Sequence, residues 1–160
     1  MDLPAAVRPV RARAVVAIAL CIGTLPVAGC GGPSAEARFR TEHLVPAQQR
    51  IEAQKSRLST DLQVVHLGRK RDAGVIGHEV NALAGAVRKM DLLEPPKSVV
   101  AAFQRYKVAN AHLVKALHTF AAALGGHSNA QLNRAGAAAQ AAAGEIARTR
   151  DALDALLTKK

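Results

Sequence analysis

The stretch FQRYKVANAHLVKALHTFAAAL, residues 103–124, decides the fold class of this chain. Its larger side chains recur every three or four residues, which places them on one side of an α-helix. This seam consists of Phe103, Tyr106, Asn110, Leu113, Leu117, Phe120 and Leu124. The spacing predicts an amphipathic helix with one buried face. Asn110, the one amide in the seam, is predicted to be a buried polar group that sets the register of the helix, rather than a ligand contact.

Apolar residues with helical spacing also occur on both sides of this stretch. Three further segments run from Leu44 to Val65, from Ile76 to Met90 and from Leu132 to Leu157. The breaks between segments fall near residues 68–72, 93–97 and 125–128, and they contain the glycines, prolines and capping residues that end helices. Four amphipathic helices joined by short breaks predict an all-α fold, an antiparallel up-down-up-down four-helix bundle.

Local signals refine the helix boundaries. Pro46 predicts either that the first helix starts within residues 41–45 or that it is kinked there. Asp72 is the expected N-cap of the second helix. Ser128, followed by Gln131 three residues later, forms a capping-box pattern for the fourth.

Small residues mark two segments. The second contains Gly74, Gly77 and Gly85, which indicate either close helix contacts or a weak helix. The fourth is rich in alanine from Ala135 to Gly144. Alanine favours helix but buries little area, so either a neighbouring helix packs closely there or a groove remains. Close packing is the commoner of the two arrangements.

Composition limits the classes of protein. The chain has 160 residues, a formal net charge of +10, 49% hydrophobic residues and only 2% aromatic residues. Its length suits one domain, and it has too few aromatic residues for a β-sandwich and too many apolar ones for a disordered chain. Two cysteines exclude a disulfide-rich scaffold and a multi-cysteine zinc site.

The N-terminal residues have the pattern of an export signal. Three arginines, Arg8, Arg11 and Arg13, precede an uncharged apolar run from Ala14 to Gly29. As a helix this run would rise about 24 Å, which is less than the roughly 30 Å of a bilayer's hydrocarbon core. A basic start, a short apolar run and small residues at its end are typical of a secretory signal peptide rather than a permanent transmembrane helix.

The end of this signal, Val27-Ala28-Gly29-Cys30, resembles the lipobox of bacterial lipoproteins. The resemblance implies that the signal is cleaved before Cys30 and that Cys30 carries a lipid anchor, including palmitate-type fatty acids. The implied organisation is a signal peptide over residues 1–29, a lipidated cysteine and tether over 30–34, and a bundle domain over 35–160. The protein would then be lipid-anchored at the cell membrane, on its extracytoplasmic side, or facing the periplasm if the cell has two membranes.

Two further points qualify this resemblance. An ordinary secreted protein, cut after Ala28 or Gly29 by the general signal peptidase, is the alternative. The remaining chain is similar in composition to small helical-bundle lipoproteins of high-GC bacteria, a likeness that assigns no functional residues.

Catalytic patterns are absent from the sequence. No two of the six histidines lie three or four residues apart, and no serine lies in a nucleophile elbow. The sequence therefore predicts no enzyme activity, no catalytic residue, no metal site and no cofactor. An enzyme would require the fold to bring together at least two of His66, His78, His112 and Glu79.

One surface feature suggests a partner. No acidic residue occurs between Glu94 and Glu145. Within that interval the third helix carries a basic stripe, predicted to lie opposite the apolar seam, that consists of Lys97, Arg105, His112 and Lys115. The candidate partners of this stripe are anionic lipids and anionic wall polymers, and a merely solvated face is the alternative. Nucleic acid is not expected, because the N-terminal pattern predicts export and the sequence has one Tyr and no Trp for stacking.

The expected function is therefore that of a membrane-anchored envelope lipoprotein with a non-catalytic binding or structural role. The alternative is a small-ligand carrier that uses a groove beside the fourth helix. A pocket lined by Tyr106, Asn110 and the alanines of residues 137–143 would favour that alternative.

Overall fold

Residues 32–159 are the part of the chain described by the structure, a computed structural model, and this part is helical without any strand. Its elements are α1 (Ala35–Arg38), a π-helical stretch (Phe39–Leu44), α2 (Val45–Leu62), α3 (Lys70–Arg88), α4 (Val100–Leu124) and α5 (Asn129–Leu157), with 3₁₀ turns at Lys89–Leu92 and Lys97–Val99. Phe39 and Val45, at the first two joins, keep right-handed helical backbone angles, so α1, the π-helical stretch and α2 form one long helix. The prediction of an all-α fold with four helices is confirmed. The predicted signal peptide, the lipobox and Cys30 lie outside the described residues.

The first helix begins before residue 41 and runs through Pro46. Ser34 caps it, because its Oγ accepts a hydrogen bond from the backbone N–H of Ala37 at 3.1 Å. The predicted start within residues 41–45 is therefore wrong. Pro46 lacks the N–H of a regular helical turn, and the π-helical stretch immediately before it has the wider hydrogen-bond spacing of a π-bulge. The helix is thus irregular next to Pro46 but continues through it.

The connection between α2 and α3 is fastened to the end of α4. Gly68 has φ 81°, in the left-handed region, and its N–H donates to the carbonyl of Leu124 at 2.9 Å. Asp72 is not the N-cap of α3, which begins at Lys70. Its carboxylate lies in the first turn and accepts a hydrogen bond from the backbone N–H of His66 at 2.8 Å. Asp72 therefore stabilises the connection from the first turn of α3.

We expect Gly68→Ala to destabilise the protein by about 1–2 kcal/mol, because the left-handed backbone is unfavourable for a residue with a Cβ. The added Cβ would also lie 2.7 Å from Nδ1 of His127. Gly77→Ala is the matched control, since a Cβ at Gly77 meets no atom within 4 Å, and it should stabilise α3 by about 0.5–1 kcal/mol. Urea unfolding measures both free energies. Equal stability of the two variants would contradict the assigned conformation of Gly68.

The glycines of α3 do not mark close helix contacts. A Cβ built at Gly74, Gly77 or Gly85 would have no neighbouring atom within 4 Å. Of the two explanations that the sequence allows, close contact is therefore wrong. The glycines lower the intrinsic helix propensity of α3 without improving its packing.

The core is built from the seams that the spacing predicts. In α4 the buried members are Phe103, Tyr106, Asn110, Leu113, Leu117 and Leu124, whereas Phe120 is partly exposed. The other helices contribute fully buried side chains that include Leu44, Ile51, Ile76, Leu83 and Leu153. The capping box at the start of α5 is confirmed in its main bond, because Ser128 Oγ accepts from the backbone N–H of Gln131 at 3.3 Å.

Successive helices pack on one another, α2 on α3, α3 on α4 and α4 on α5. Polar pairs fix their relative positions: Ser98 donates to Glu36 at 2.6 Å, Lys107 pairs with Asp91 at 2.9 Å, and His112 lies 3.1 Å from Glu145. The last of these pairs joins the middle of α4 to the middle of α5, where the candidate site lies.

Candidate anion-binding face

The predicted basic stripe lies on the surface. Arg105, His112 and Lys115 are exposed on α4, and Lys97 is exposed in the 3₁₀ turn that precedes this helix. Intervals of seven and three residues place the first three on one side of α4, because an α-helix turns about 100° per residue. These three residues are therefore accessible together, whereas Lys97 lies outside the helix that the sequence assigned to it and lines a different groove, beside the first helix.

The neighbouring helix extends this surface. Arg134 and Arg148 of α5 are exposed and line grooves between α5 and α4. Glu145 of α5 adds one carboxylate, and its Oε2 lies 3.1 Å from Nδ1 of His112. We call this surface the α4–α5 face and define it by Arg105, Val108, His112, Lys115, Arg134, Glu145, Arg148 and Leu156. Its basic side chains outnumber its acidic ones, since Glu145 is the one carboxylate among these residues.

Two adjoining grooves run along the α4–α5 face. Their volumes are about 500 Å³ and about 550 Å³, and both are lined by Thr119 and Ala138. The alanines of both helices form most of the floor, while Arg134, Lys115 and Arg148 stand along the sides. The grooves form because most of their lining residues are alanines, whose methyl groups fill less space between helices than leucine side chains would.

The alanine-rich part of α5 combines the two arrangements that the sequence left open. Ala135 and Ala142 are buried against the rest of the molecule. Ala135 also lines the groove of about 500 Å³ and Ala142 the groove of about 550 Å³, together with the more exposed Ala138 and Ala141. A Cβ at Gly136 would lie 3.7 Å from the Phe120 ring, which is an ordinary van der Waals distance, so this glycine is not required by an unusually close approach.

The pocket proposed for a small-ligand carrier does not form as expected. Tyr106 and Asn110 are each 1% exposed, and neither lines the grooves beside α5. Asn110 Nδ2 donates to the backbone carbonyl of Tyr106 at 2.9 Å, while its Oδ1 is buried without a hydrogen-bond partner. Burial raises the pKa of the Tyr106 hydroxyl. These two residues belong to the core.

A third groove lies where the first helix meets the connection between α3 and α4. It has a volume of about 590 Å³ and is lined by both acidic and basic side chains, among them Arg38, Glu42, Glu94 and Lys97. Nearby, the hydrogen bond from Ser98 lowers the pKa of Glu36. This groove therefore carries charges of both signs.

The histidines that an enzyme would need are placed separately. His66 in the α2–α3 connection is near Asp72, and His112 in α4 is near Glu145. None of the three grooves is lined by more than one of the four residues His66, His78, His112 and Glu79. Within residues 32–159, no group of three or more His, Cys, Asp or Glu side chains could hold a metal ion.

Sequence reasoning did not place Arg148, Glu145 or the α5 side of the face. A signal for them exists, because Arg134, Ala138, Ala141, Glu145 and Arg148 follow one another at intervals of four, three, four and three residues. This is the spacing of one helix side, and in α5 it runs beside the buried row. Its members are small or charged, so a search for apolar periodicity passes over them.

Comparison with protein-family models, with curated proteins and with solved structures gives no match to this chain. Among the described residues, no helix combines the length and the apolar character required to cross a bilayer.

Proposed function

We propose that this protein is a membrane-anchored bacterial lipoprotein of the cell envelope whose helical domain has a non-catalytic binding role. Its anchor is the lipid on Cys30, and its binding surface is the α4–α5 face. The sequence Val27-Ala28-Gly29-Cys30, placed directly after a short apolar run, supports the anchor. The excess of exposed basic side chains on two adjacent helices is the observation that carries the binding role.

The proposed architecture of the domain is an antiparallel up-down-up-down bundle. The contacts between α4 and α5 support this arrangement, because His112 is near Glu145 whereas Phe120, later in α4, is near Gly136, earlier in α5. The end of α5 also lies near the start of the first helix. Burial raises the pKa of Asp154 there, and the positive charge of Arg40 partly offsets this rise.

The proposed ligand of the α4–α5 face is a polyanion, either anionic lipid or an anionic wall polymer. A basic residue close to an anionic membrane surface contributes about 1 kcal/mol to the free energy of binding, so several together can hold the domain at the membrane. Small-ligand carriage in the alanine-lined grooves is the second candidate. The two grooves favour it, and the burial of Tyr106 and Asn110 outside them counts against it.

We expect a triple charge reversal, Lys97→Glu with Arg105→Glu and Lys115→Glu, to remove binding of the lipid-free domain to vesicles that contain anionic lipid. Co-sedimentation measures this binding, which should weaken as salt shortens the Debye length to about 8 Å at physiological strength. The melting curve should change little, because exposed charges contribute little to stability. Equal binding by the wild type and the variant would leave these three residues as a solvated surface.

A further inference from the structure

Two rows of side chains form the α4–α5 face. On α4 the row is Arg105, Val108, His112, Lys115, Thr119 and Ala122, at alternating intervals of three and four residues. The α5 row, described above, has the same spacing. The contact between His112 and Glu145 joins the rows, and the two grooves run between them. The side chains therefore belong to one surface that extends along both helices.

This surface has an apolar part as well as a basic one. Val108 is 49% exposed and lies between Arg105 and His112 in the α4 row. Leu156 is 36% exposed and follows Glu145 by eleven residues, about three helical turns, which places it on the same side of α5. Exposed aliphatic side chains beside basic ones can contact the interface of an anionic membrane, where burial of apolar area and attraction to the headgroups both contribute to binding. A hydrophilic wall polymer would gain nothing from contact with Val108 or Leu156.

The tether limits where the domain can be. Ala35 follows Cys30 by five residues, and an extended chain spans at most about 18 Å over that distance. The start of the first helix is beside the start of α4, because Ser98 donates to Glu36 at 2.6 Å. Lys115 follows Val100 by fifteen residues, a rise of about 22 Å along α4. If α4 stood upright on the bilayer, Lys115 and Arg134 would lie well beyond the Debye length from the headgroups.

We propose that the domain lies on its side, with the α4–α5 face against the anionic surface of the bilayer that holds the Cys30 lipid. This inference rests on the proposed anchor, and it assigns lipid rather than wall polymer as the partner of the face. In this position Val108 and Leu156 enter the interfacial region, and the basic side chains of both rows reach the headgroups. The short tether allows the position because the face begins close to the tethered end of the domain.

The absence of tryptophan from the sequence allows a direct test. Val108→Trp places a single fluorophore on the face, and Val75→Trp on α3 is the matched control, because Val75 is 45% exposed. The full-length lipidated protein is added to preformed vesicles of neutral or partly anionic phospholipid, some with brominated acyl chains. The indole emission of Val108→Trp should shift to the blue and be quenched by brominated lipid in anionic vesicles. The control variant, Val75→Trp, should keep the emission of a water-exposed indole.

A charge variant completes the test. In the Val108→Trp background, Arg134→Gln with Arg148→Gln should abolish the quenching that depends on anionic lipid. The same double change at Arg50 and Arg57, which are exposed on α2, should leave the quenching intact. Circular dichroism confirms that all variants remain helical.

The outcomes separate this inference from the proposed anchor. Mass spectrometry first determines whether Cys30 carries lipid, and an unmodified cysteine would refute the anchor. With the lipid present, equal quenching of Val108→Trp and Val75→Trp would overturn the side-lying orientation. Quenching of Val108→Trp that neutral lipid supports equally well would overturn it too. An emission change in Val108→Trp with soluble polyglutamate but not with anionic vesicles would also overturn it and would assign the face to a polymer.

Discussion

Replacement of Cys30 by alanine is expected to abolish fatty-acid labelling of this protein and to release it from membranes or leave it as an unprocessed precursor. Burial of a lipid chain contributes about 0.8 kcal/mol per CH₂ group, so two chains on one cysteine hold a protein stably, and their loss removes that contribution entirely. Metabolic labelling and membrane fractionation measure the effect.

Cys21→Ala is the matched control for this experiment. Cys21 is the other cysteine of the chain and lies inside the predicted signal peptide. Its replacement should leave labelling and membrane association unchanged. If Cys30→Ala retained full labelling, the lipoprotein proposal would be refuted, whatever the helical domain binds.

The largest loss of stability is expected from Phe103→Ala, about 3–5 kcal/mol, because truncation of a buried phenylalanine removes apolar contacts and leaves a cavity. Phe103 is fully buried, and its ring meets the Phe39 ring edge-on with centroids 5.5 Å apart. Lys107 Nζ lies 5.7 Å from the Phe103 ring centroid and covers the site from the surface. Urea unfolding of residues 32–160 measures the change.

Val108→Ala, in the next turn of the same helix, is the control for Phe103→Ala. Val108 is about half exposed, and substitutions at such surface positions usually change stability by less than about 0.5 kcal/mol. A loss of similar size in both variants would mean that the buried side of α4 is assigned wrongly.

The helical fold could be predicted because the relevant information is local. The interval of three and four residues from Phe103 to Leu124 marks the buried side of α4, and Ser128 with Gln131 marks the start of α5. Helical periodicity and capping both act within a few residues, so the sequence displays them directly.

The helix boundaries were predicted less well, because they depend on which hydrogen bonds form in the folded chain. Asp72 has the residue type of an N-cap, but its carboxylate instead accepts the backbone N–H of His66, six residues away in the folded connection. Pro46 allowed either a helix start within residues 41–45 or a kink there, and the helix begins at Ala35 and runs through Pro46 with a π-helical stretch directly before it. Residue type alone does not show which backbone group Asp72 binds, or whether the helix begins near Pro46 or runs through it.

The candidate face could be predicted only in part. The absence of acidic residues between Glu94 and Glu145 indicated the basic side of α4. The contribution of Arg134 and Arg148 depends on how α5 is rotated against α4, and that rotation is set by the packing of Ile146 and Leu153 in the core. Surface charge therefore follows from the buried side of the same helix.

The π-helical stretch has a consequence for how this chain tolerates changes in length. Phe39 and Leu44 are five residues apart, which in a regular α-helix would separate their directions by about 140°, yet both are buried. The wider turn contains one residue more than a regular α-helical turn. It takes up this extra residue, as it would a one-residue insertion, without rotating the rest of the first helix away from the core. The seven-residue intervals from Leu44 to Ile51 and from Ile51 to Leu58 stay in register because the surplus is absorbed within a single turn.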